Sequence, residues 1–227
     1  MSHGDADSPK VLSAAVWSVV VAGGSGLRFG SRKQFADLGG RSVLQCSLDA
    51  AATVSDGVVI VVPDDAVAEQ SLSAPDTSVV VVAGGATRTE SVRAGLFAVP
   101  SHVERVLVHD AARPLASPAL FSSVCDALAE GAHAVVPVVA VTDTIRHAKG
   151  GTVDRTELLA VQTPQGFNAS SLRQAHSGSG EATDDATLVE ALGFDVILVD
   201  GEPHNRKLTD PDDLITAEVM IAILEER

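Results

Sequence analysis

The sequence predicts an α/β protein with a doubly wound, Rossmann-like, mostly parallel sheet. Three observations lead to this prediction: short Val-rich apolar runs recur along the chain, helix-like segments separate them, and glycine-rich or charged turns follow several of the runs. Strands that helices cover on both faces are continuously apolar, which is typical of parallel sheets. Because such strands alternate with helices here, an open doubly wound sheet is favoured.

Strands and helices are predicted in alternation along the chain. The strands are expected at residues 16–22, 57–62, 78–83, 103–109, 134–138 and 195–200. The helices are expected at residues 43–52, 65–71, 90–98, 118–130 and 211–226. Ser42 and Gln45 can form a capping box at the first helix, and Ser117 precedes a proline at a first helical position. Thr209 or Asp210 can cap the last helix.

Two segments fall outside this alternation. Residues 142–162 place Thr and Val between charged residues around a central Gly150-Gly151 pair, which predicts a β-arm that projects from the sheet. Residues 1–12 are expected to be a disordered leader, and residues 13–227 a single domain. The leader lacks the basic and apolar stretches of a secretory signal, which predicts a cytoplasmic location.

Composition excludes several classes of function. The net charge of −14 opposes binding to nucleic acid, which needs clustered positive charge. No apolar run approaches the roughly 20 residues that span a membrane. Cys46 and Cys125 lack the spacing of a zinc site and are expected to be buried, reduced thiols. Lysine is scarce, and two of the few lysines, Lys33 and Lys207, lie in motifs, so an anionic substrate would be held by a local basic pocket.

The first predicted strand runs into a glycine-rich turn that is followed by cations. In chain order this segment includes Ala22, Gly23, Gly24, Ser25, Gly26, Arg28 and Lys33. Glycines let backbone N–H groups converge on phosphate oxygens, and the cations add positive charge. Phe29 departs from a dinucleotide-binding fingerprint, and no Gly-Lys-Ser/Thr follows as in a P-loop. Taken alone, the segment also fits a merely flexible loop.

A second glycine turn, at residues 84–92, opens a predicted helix. Its small residues, Gly85 and Ala86, would let backbone groups approach the edge of a base, and Ser91 adds a hydroxyl. An ordinary turn between a strand and a helix explains this segment equally well.

Further polar clusters follow the later strands. In residues 109–114, Asp110 and Arg113 flank two alanines, for which a structural ion pair is an alternative to a site, and His109 is more simply a packing residue. The remaining clusters are residues 163–165, 183–186 and 205–209. Ligands of open α/β sheets bind beyond the carboxyl ends of the strands, so the clusters together predict one site.

In combination these motifs closely resemble the 2-C-methyl-D-erythritol 4-phosphate cytidylyltransferase family of the non-mevalonate isoprenoid pathway. The resemblance runs from about Val16 to the C-terminus. It rests on the signature ending in Lys33-Gln34, the Gly-Gly-x-x-Arg-x-x-Ser-Val stretch of residues 84–92, residues 108–114, Thr163-Pro164-Gln165 and Asn205-x-Lys207-x-Thr209. His204 departs from the acidic residue of many relatives. From the chain length we expect no fused cyclase domain of the kind that some relatives carry, and the implied fold is of the nucleotide-diphospho-sugar transferase type.

The resemblance implies transfer of CMP from CTP to the phosphate of a polyol phosphate, methylerythritol phosphate, with Mg²⁺ bridging the triphosphate. The implied catalytic residues are Arg28, Lys33, Arg155 and Lys207. The implied nucleotide-binding residues are Ala22, Gly23, Gly24, Ser25, Gly26, Gly85, Ala86, Ser91, Asp110 and Ala111. The implied acceptor-binding residues are Asp110, Arg113, Thr144, Arg155, Thr163, Thr183 and Lys207. Asp110 is also the implied metal ligand.

We also expect a symmetric homodimer in which the 142–162 arm crosses to the partner, so that Arg155 serves the other subunit's site. An isolated hairpin is marginal in water, and a reciprocal twofold contact is the commonest solution.

Three other functions remain as alternatives. A ribitol 5-phosphate cytidylyltransferase shares the glycine signature and differs in how it holds the acceptor. A catalytically silent nucleotide sensor or scaffold is disfavoured because Lys33 and Lys207 are both retained in a lysine-poor chain. A nicotinamide oxidoreductase is weakened by Phe29.

Overall fold

The computed structural model describes residues 14–24, 32–69, 71–178 and 180–225. The predicted leader, together with Ser25, Gly26 and Arg28 of the first glycine turn, lies outside the described residues. None of the helices in the described part of the chain is long and apolar enough to cross a membrane.

The described residues form strands and helices in alternation. The strands are β1 (Val16–Val21), β2 (Asp37–Leu38), β3 (Arg41–Ser42), β4 (Gly57–Val62), β5 (Ser78–Ala83), β6 (Arg105–Asp110), β7 (Ala134–Ala140), β8 (Leu159–Val161), β9 (Gln165–Asn168) and β10 (Val196–Asp200). The helices are α1 (Val43–Ala52), α2 (Arg88–Ala98), α3 (Pro118–Ala129), α4 (Ala169–Ala175), α5 (Asp185–Glu190) and α6 (Pro211–Glu225).

The main sheet has the strand order β5-β4-β1-β6-β9-β7-β10, and β8 pairs with the end of β7. Strand β1 pairs in parallel with β4 on one side and with β6 on the other. The chain therefore leaves β1 in one direction and later returns to its opposite side, which makes a topological switch point between β1 and β6. Strands β8 and β9 are antiparallel to their neighbours. The predicted doubly wound, mostly parallel α/β fold is confirmed.

The core lies on both faces of the sheet. Along β4, Val58, Ile60 and Val62 pack on the face covered by α1 and α3. Val59 and Val61 pack on the opposite face, with α2 and α4. All five side chains are fully buried. Burial on both faces explains why this strand is continuously apolar in the sequence.

Several boundaries differ from the prediction. Strand β6 begins at Arg105 instead of residue 103, because the N–H of Val103 donates to Pro100 O in a turn (3.1 Å). The helix predicted at residues 65–71 is a 3₁₀ helix over Asp64–Glu69. Strand β9 was not predicted, since its four residues contain no apolar run.

The predicted helix caps are present with one exception. Ser42 Oγ accepts from the N–H of Gln45, but the Gln45 side chain donates to Asp49 Oδ1 (2.6 Å), so the reciprocal half of that capping box is missing. Ser117 caps α3 ahead of its first-position proline. At α6, Asp210 Oδ1 accepts from the N–H of Asp213 (3.3 Å).

The two cysteines are free thiols. Cys46 is buried, whereas Cys125 is only partly buried. Burial still raises the pKa of Cys125 to about 11, so the group is protonated at neutral pH.

The predicted β-arm leaves the sheet between β7 and β8. An antiparallel bridge joins Arg146 to Thr152, and Gly150 and Gly151 at the tip have φ angles of +104° and +91°. Glycine adopts such angles without strain, so the pair forms the turn of the hairpin as the sequence predicts. Most arm side chains are exposed.

Candidate active site

A cavity of about 400 Å³ opens at the carboxyl ends of β1 and β6, which is the topological switch point. Its walls come from the segments that follow β1, β5 and β6 and from the loop between β10 and α6. The lining residues are Val21, Ala22, Gly23, Gly24, Lys33, Gln34, Gly85, Ala86, Thr87, Arg88, Ser91, Asp110, Ala111, Ala112 and Lys207.

The start of the first glycine turn forms one wall. The N–H of Ala22 donates to Val61 O (2.7 Å), which holds the turn against β4. The buried Gln34 side chain donates from Nε2 to the carbonyls of Ala22 (2.8 Å) and Gly24 (3.3 Å). These two hydrogen bonds from Gln34 therefore fix the backbone of this wall.

The second glycine turn forms another wall of the cavity. Thr87 and Glu90 make a complete capping box at the start of α2. Glu90 Oε2 also accepts from the N–H of Ala86 (2.6 Å), while Ser91 Oγ accepts from the N–H of Gly85 (3.2 Å). A Cβ added at Gly85 would lie 2.3 Å from the Cβ of Glu90, so this turn requires glycine. The wall is preformed and its N–H groups are already satisfied.

Asp110, the last residue of β6, lies between two cations. Its Oδ1 accepts from Arg88 Nε (3.1 Å), and its Oδ2 accepts from Lys207 Nζ (2.6 Å). Burial alone would raise the pKa of Asp110, but the charges of Arg88 and Lys207 outweigh burial and hold that pKa well below its usual range. Asp110 is therefore ionised at neutral pH.

One lysine of the cavity, Lys33, contacts the backbone next to the other, Lys207. Lys33 Nζ donates to the carbonyl of Leu208 (2.5 Å), the residue that follows Lys207. The N–H of Leu208 in turn donates to Ala112 O (2.8 Å), which attaches this loop to the segment after β6. Two cations from distant parts of the chain are thus brought to one side of the cavity.

Behind Asp110, His109 is fully buried. A carbonyl can only accept, so His109 Nε2 carries the proton and donates to Arg113 O (3.2 Å). The Thr163 hydroxyl accepts from the N–H of Asp110 (3.0 Å) and donates to His109 Nδ1 (3.1 Å). Burial lowers the pKa of His109 to about 4, so the ring is neutral and orients this loop.

The structure brings many of the predicted residues together at the cavity. Those that line it are Ala22, Gly23, Gly24, Lys33, Gly85, Ala86, Ser91, Asp110, Ala111 and Lys207. Those that do not are Arg113, Thr144, Arg155, Thr163 and Thr183. Arg113 donates to the carbonyls of Asn205 (2.8 Å) and Val161 (3.1 Å), while Thr144, Arg155 and Thr183 are exposed.

Sequence reasoning missed Arg88 and Gln34 as parts of this site. Both lie within the motifs, but the sequence alone assigned no role to either side chain. A polar side chain next to a glycine turn is the signal that could have found them, since a turn at a ligand site needs buried support.

The described fold and cavity define an α/β nucleotidyltransferase. The family model of 2-C-methyl-D-erythritol 4-phosphate cytidylyltransferase matches residues 16–223. The chain belongs to the 2-C-methyl-D-erythritol 4-phosphate cytidylyltransferase family.

Individual relatives agree with this assignment. The 2-C-methyl-D-erythritol 4-phosphate cytidylyltransferase of Rhodococcus jostii (strain RHA1) is 46% identical over 216 residues, which cover 91% of this chain and 95% of the relative. The crystal structure of the enzyme from Thermus thermophilus is 39% identical with a TM-score of 0.76, over 90% of this chain and 98% of that one. The 4-diphosphocytidyl-2C-methyl-D-erythritol synthase of Anaerococcus prevotii DSM 20548 is 29% identical with a TM-score of 0.79, over 92% and 99% of the two chains.

Proposed function

We propose that this chain transfers the CMP group of CTP to the phosphate of 2-C-methyl-D-erythritol 4-phosphate and releases pyrophosphate. The observation that carries the proposal is one cavity in which two glycine turns face Lys33 and Lys207. Lysines at a glycine-turn cavity suit two phosphorylated substrates. The relatives named above are cytidylyltransferases for this acceptor.

The reaction needs cations more than it needs a general base. The acceptor phosphate is already an anionic nucleophile, and its oxygen attacks the α-phosphorus of CTP while pyrophosphate leaves. Lys33 and Arg28 stabilise charge at the α-phosphate, and Lys207 and Arg155 position the attacking phosphate. Two repelling anions are thereby brought into line and neutralised. The neutral, buried His109 fits this scheme, which has no step for a base.

The second glycine turn favours cytosine over uracil. The N–H groups of Gly85 and Ala86 are engaged by Ser91 and Glu90, so carbonyl oxygens are the backbone groups that can meet the base. These acceptors pair with the exocyclic amine of cytosine, whereas the carbonyl of uracil at that position would leave buried groups unpaired. Comparable kcat/KM values for CTP and UTP would contradict the proposed preference for cytosine.

Magnesium fits the cavity only together with the nucleotide. No group of three His, Cys, Asp or Glu side chains in the described residues could hold a metal by itself. Mg²⁺ commonly takes one or two carboxylates together with substrate phosphates and water. Asp110 is the only acidic residue among the described residues that line the cavity, so it would be the protein ligand. When bound, the ion would supply positive charge to the triphosphate.

The acceptor side of the site involves the arm. Arg155 and Thr144 are exposed, and Arg155 Nη1 donates to the Thr142 carbonyl of the same arm. We infer a homodimer in which the arm of one protomer reaches the cavity of its partner. Arg155 would then meet Lys207 across the interface, and Thr183 would contribute to acceptor binding. The Thr163 hydroxyl is engaged by Asp110 and His109, and Arg113 holds the carbonyls of Asn205 and Val161, so these two would support the acceptor side without lining the cavity.

A pyrophosphate-release assay tests the proposed function. The purified chain is incubated with Mg²⁺ and each of the four NTPs, crossed with 2-C-methyl-D-erythritol 4-phosphate and ribitol 5-phosphate. We expect release with CTP and the methylerythritol phosphate. Preference for ribitol 5-phosphate would establish the alternative acceptor, and CTP binding without release would establish a sensor. The cytoplasmic location expected from the sequence stays a prediction.

A further inference from the structure

Arg88, the first residue of α2, bridges two carboxylates that belong to different parts of the fold. Its Nε donates to Asp110 Oδ1 (3.1 Å), and its Nη1 donates to Asp185 Oδ2 (2.7 Å). The Asp185 side chain is only 1% exposed, and its Oδ1 accepts from the buried His176 Nε2 (3.0 Å). The Arg88 guanidinium is therefore anchored from behind by a buried pair.

The other cation on Asp110 is held less firmly. Lys207 Nζ contacts Asp110 Oδ2 at 2.6 Å, but 43% of the Lys207 side chain is exposed, against 24% for Arg88. Lysine is also a point charge on a flexible stem, whereas the guanidinium is a rigid fork. Of the two partners of Asp110, Lys207 is the one free to turn towards a ligand in the cavity.

Turning of Lys207 has a consequence for Asp110. As the ammonium shifts its charge towards an anionic substrate, Asp110 loses part of its compensation, and a buried carboxylate without a partner is strongly destabilised. Arg88 stays in place because Asp185 holds it. The carboxylate then remains fixed and neutralised while the lysine moves.

We propose that Arg88 is a positioning residue that holds and neutralises Asp110 so that Lys207 can turn to the acceptor phosphate. The inference rests on the proposed function, in which Lys207 binds that phosphate. Without Arg88, Lys207 would be the one side chain among the described residues left to pair with Asp110 and would be retained there, so acceptor binding would weaken more than nucleotide binding.

The chain offers a matched control on the same helix. Arg93 also ties α2 to the segment before α5, donating to the carbonyls of His176 (3.2 Å), Gly178 (2.7 Å) and Gly180 (2.7 Å). It does not contact Asp110. If Arg88 only fastened α2, Arg88→Met and Arg93→Met would have similar consequences.

The test measures kcat, both KM values and the melting temperature for the two variants in the pyrophosphate assay. We expect Arg88→Met to raise the KM for 2-C-methyl-D-erythritol 4-phosphate about 10- to 100-fold, with the KM for CTP changing less than about threefold. Arg93→Met should lower the melting temperature and leave both KM values within about twofold. Arg88→Lys should recover part of the acceptor affinity, and it carries the test if Arg88→Met does not fold.

A double-mutant cycle distinguishes an effect of Arg88 on the position of Lys207 from an effect on the stability of the fold. If Arg88 acts through Lys207, the loss of kcat/KM caused by Lys207→Ala should be at least about fivefold smaller in the Arg88→Met background than in the wild type. Additive losses with an unchanged acceptor KM would overturn the inference alone. A wild-type chain that releases no pyrophosphate from CTP and this acceptor would instead refute the proposed function.

Discussion

The second glycine turn of the cavity and the β-arm differ in how their residues are held in place. The wall at Gly85 is supported by its own side chains: Ser91 and Glu90 accept from its N–H groups, and Glu90 leaves no room for a Cβ. The arm carries Arg155 on exposed backbone, and within the arm that side chain contacts the Thr142 carbonyl. One chain thus preorganises the wall at Gly85, whereas in the proposed dimer the acceptor side depends on the arm of the partner.

The largest expected effect is at the preorganised side. Lys33→Ala should lower kcat by about 100-fold or more, because its charge interaction with the α-phosphate strengthens in the transition state. Arg28→Ala should lower kcat to a similar extent, because Arg28 is proposed to stabilise the same charge. Lys149→Ala, at an exposed lysine beside the arm tip, is the matched control and should leave kcat within about twofold. Normal turnover with Lys33→Ala would reject the role of this lysine.

The arm is tested by mixing two inactive variants. Lys33→Ala chains and Arg155→Ala chains should regenerate activity together, because a mixed dimer contains one site with both residues intact. With random exchange about half of the dimers are mixed, so about a quarter of all sites should be restored. Subunit exchange must be demonstrated first, by mass spectrometry of labelled chains. No recovery after exchange would place Arg155 in its own subunit's site or in none.

Adding a side chain at the second glycine turn should affect catalysis less than removing Lys33 does. Gly85→Ala forces Glu90 to move and should raise the KM for CTP about tenfold. The control is Gly180→Ala, where the nearest atom to the new Cβ is Leu188 Cδ2 at an ordinary 3.8 Å, and its KM should stay within about twofold. Equal KM values for both variants would show that the turn adjusts freely.

The smallest effect is expected at the arm tip. Gly150→Ala strains a backbone with φ of +104°, but an exposed hairpin can relax locally. We expect the melting temperature to fall by less than about 2 °C and kcat to stay within about twofold. A larger fall, measured by calorimetry, would show that the tip is tightly packed in the assembled protein.

The centre of the sheet was predictable from the sequence because strands such as β4 are buried on both faces. Val58 to Val62 alternate between two cores, which leaves a continuous apolar signal. Strand β9 gave no such signal, because Gln165–Asn168 is held by pairing with β6 and β7 instead of by apolar periodicity.

The backbone motifs of the site were predictable for a related reason. The glycines of the two turns are visible in the sequence, whereas the need for glycine at Gly85, where a Cβ would meet Glu90, is visible only in the structure. The contact of Arg88 with Asp185 joins residues 97 positions apart, and no local pattern reports it. In the proposed dimer, a second chain decides which exposed arm residues reach a site, and no pattern within one sequence reports that contact.

The strand order also determines which parts of the sheet can fold first while the protein is being synthesised. Strands β5, β4, β1 and β6 form a contiguous half-sheet from residues 16–110 alone. Among the described strands, β7 is hydrogen-bonded to that half through β9, so this pairing must wait until residue 168 has been synthesised. Domains fold as their segments become available during synthesis. The glycine walls and Asp110 can therefore assemble early, while Lys207 arrives last and completes the charge balance of a cavity already in place.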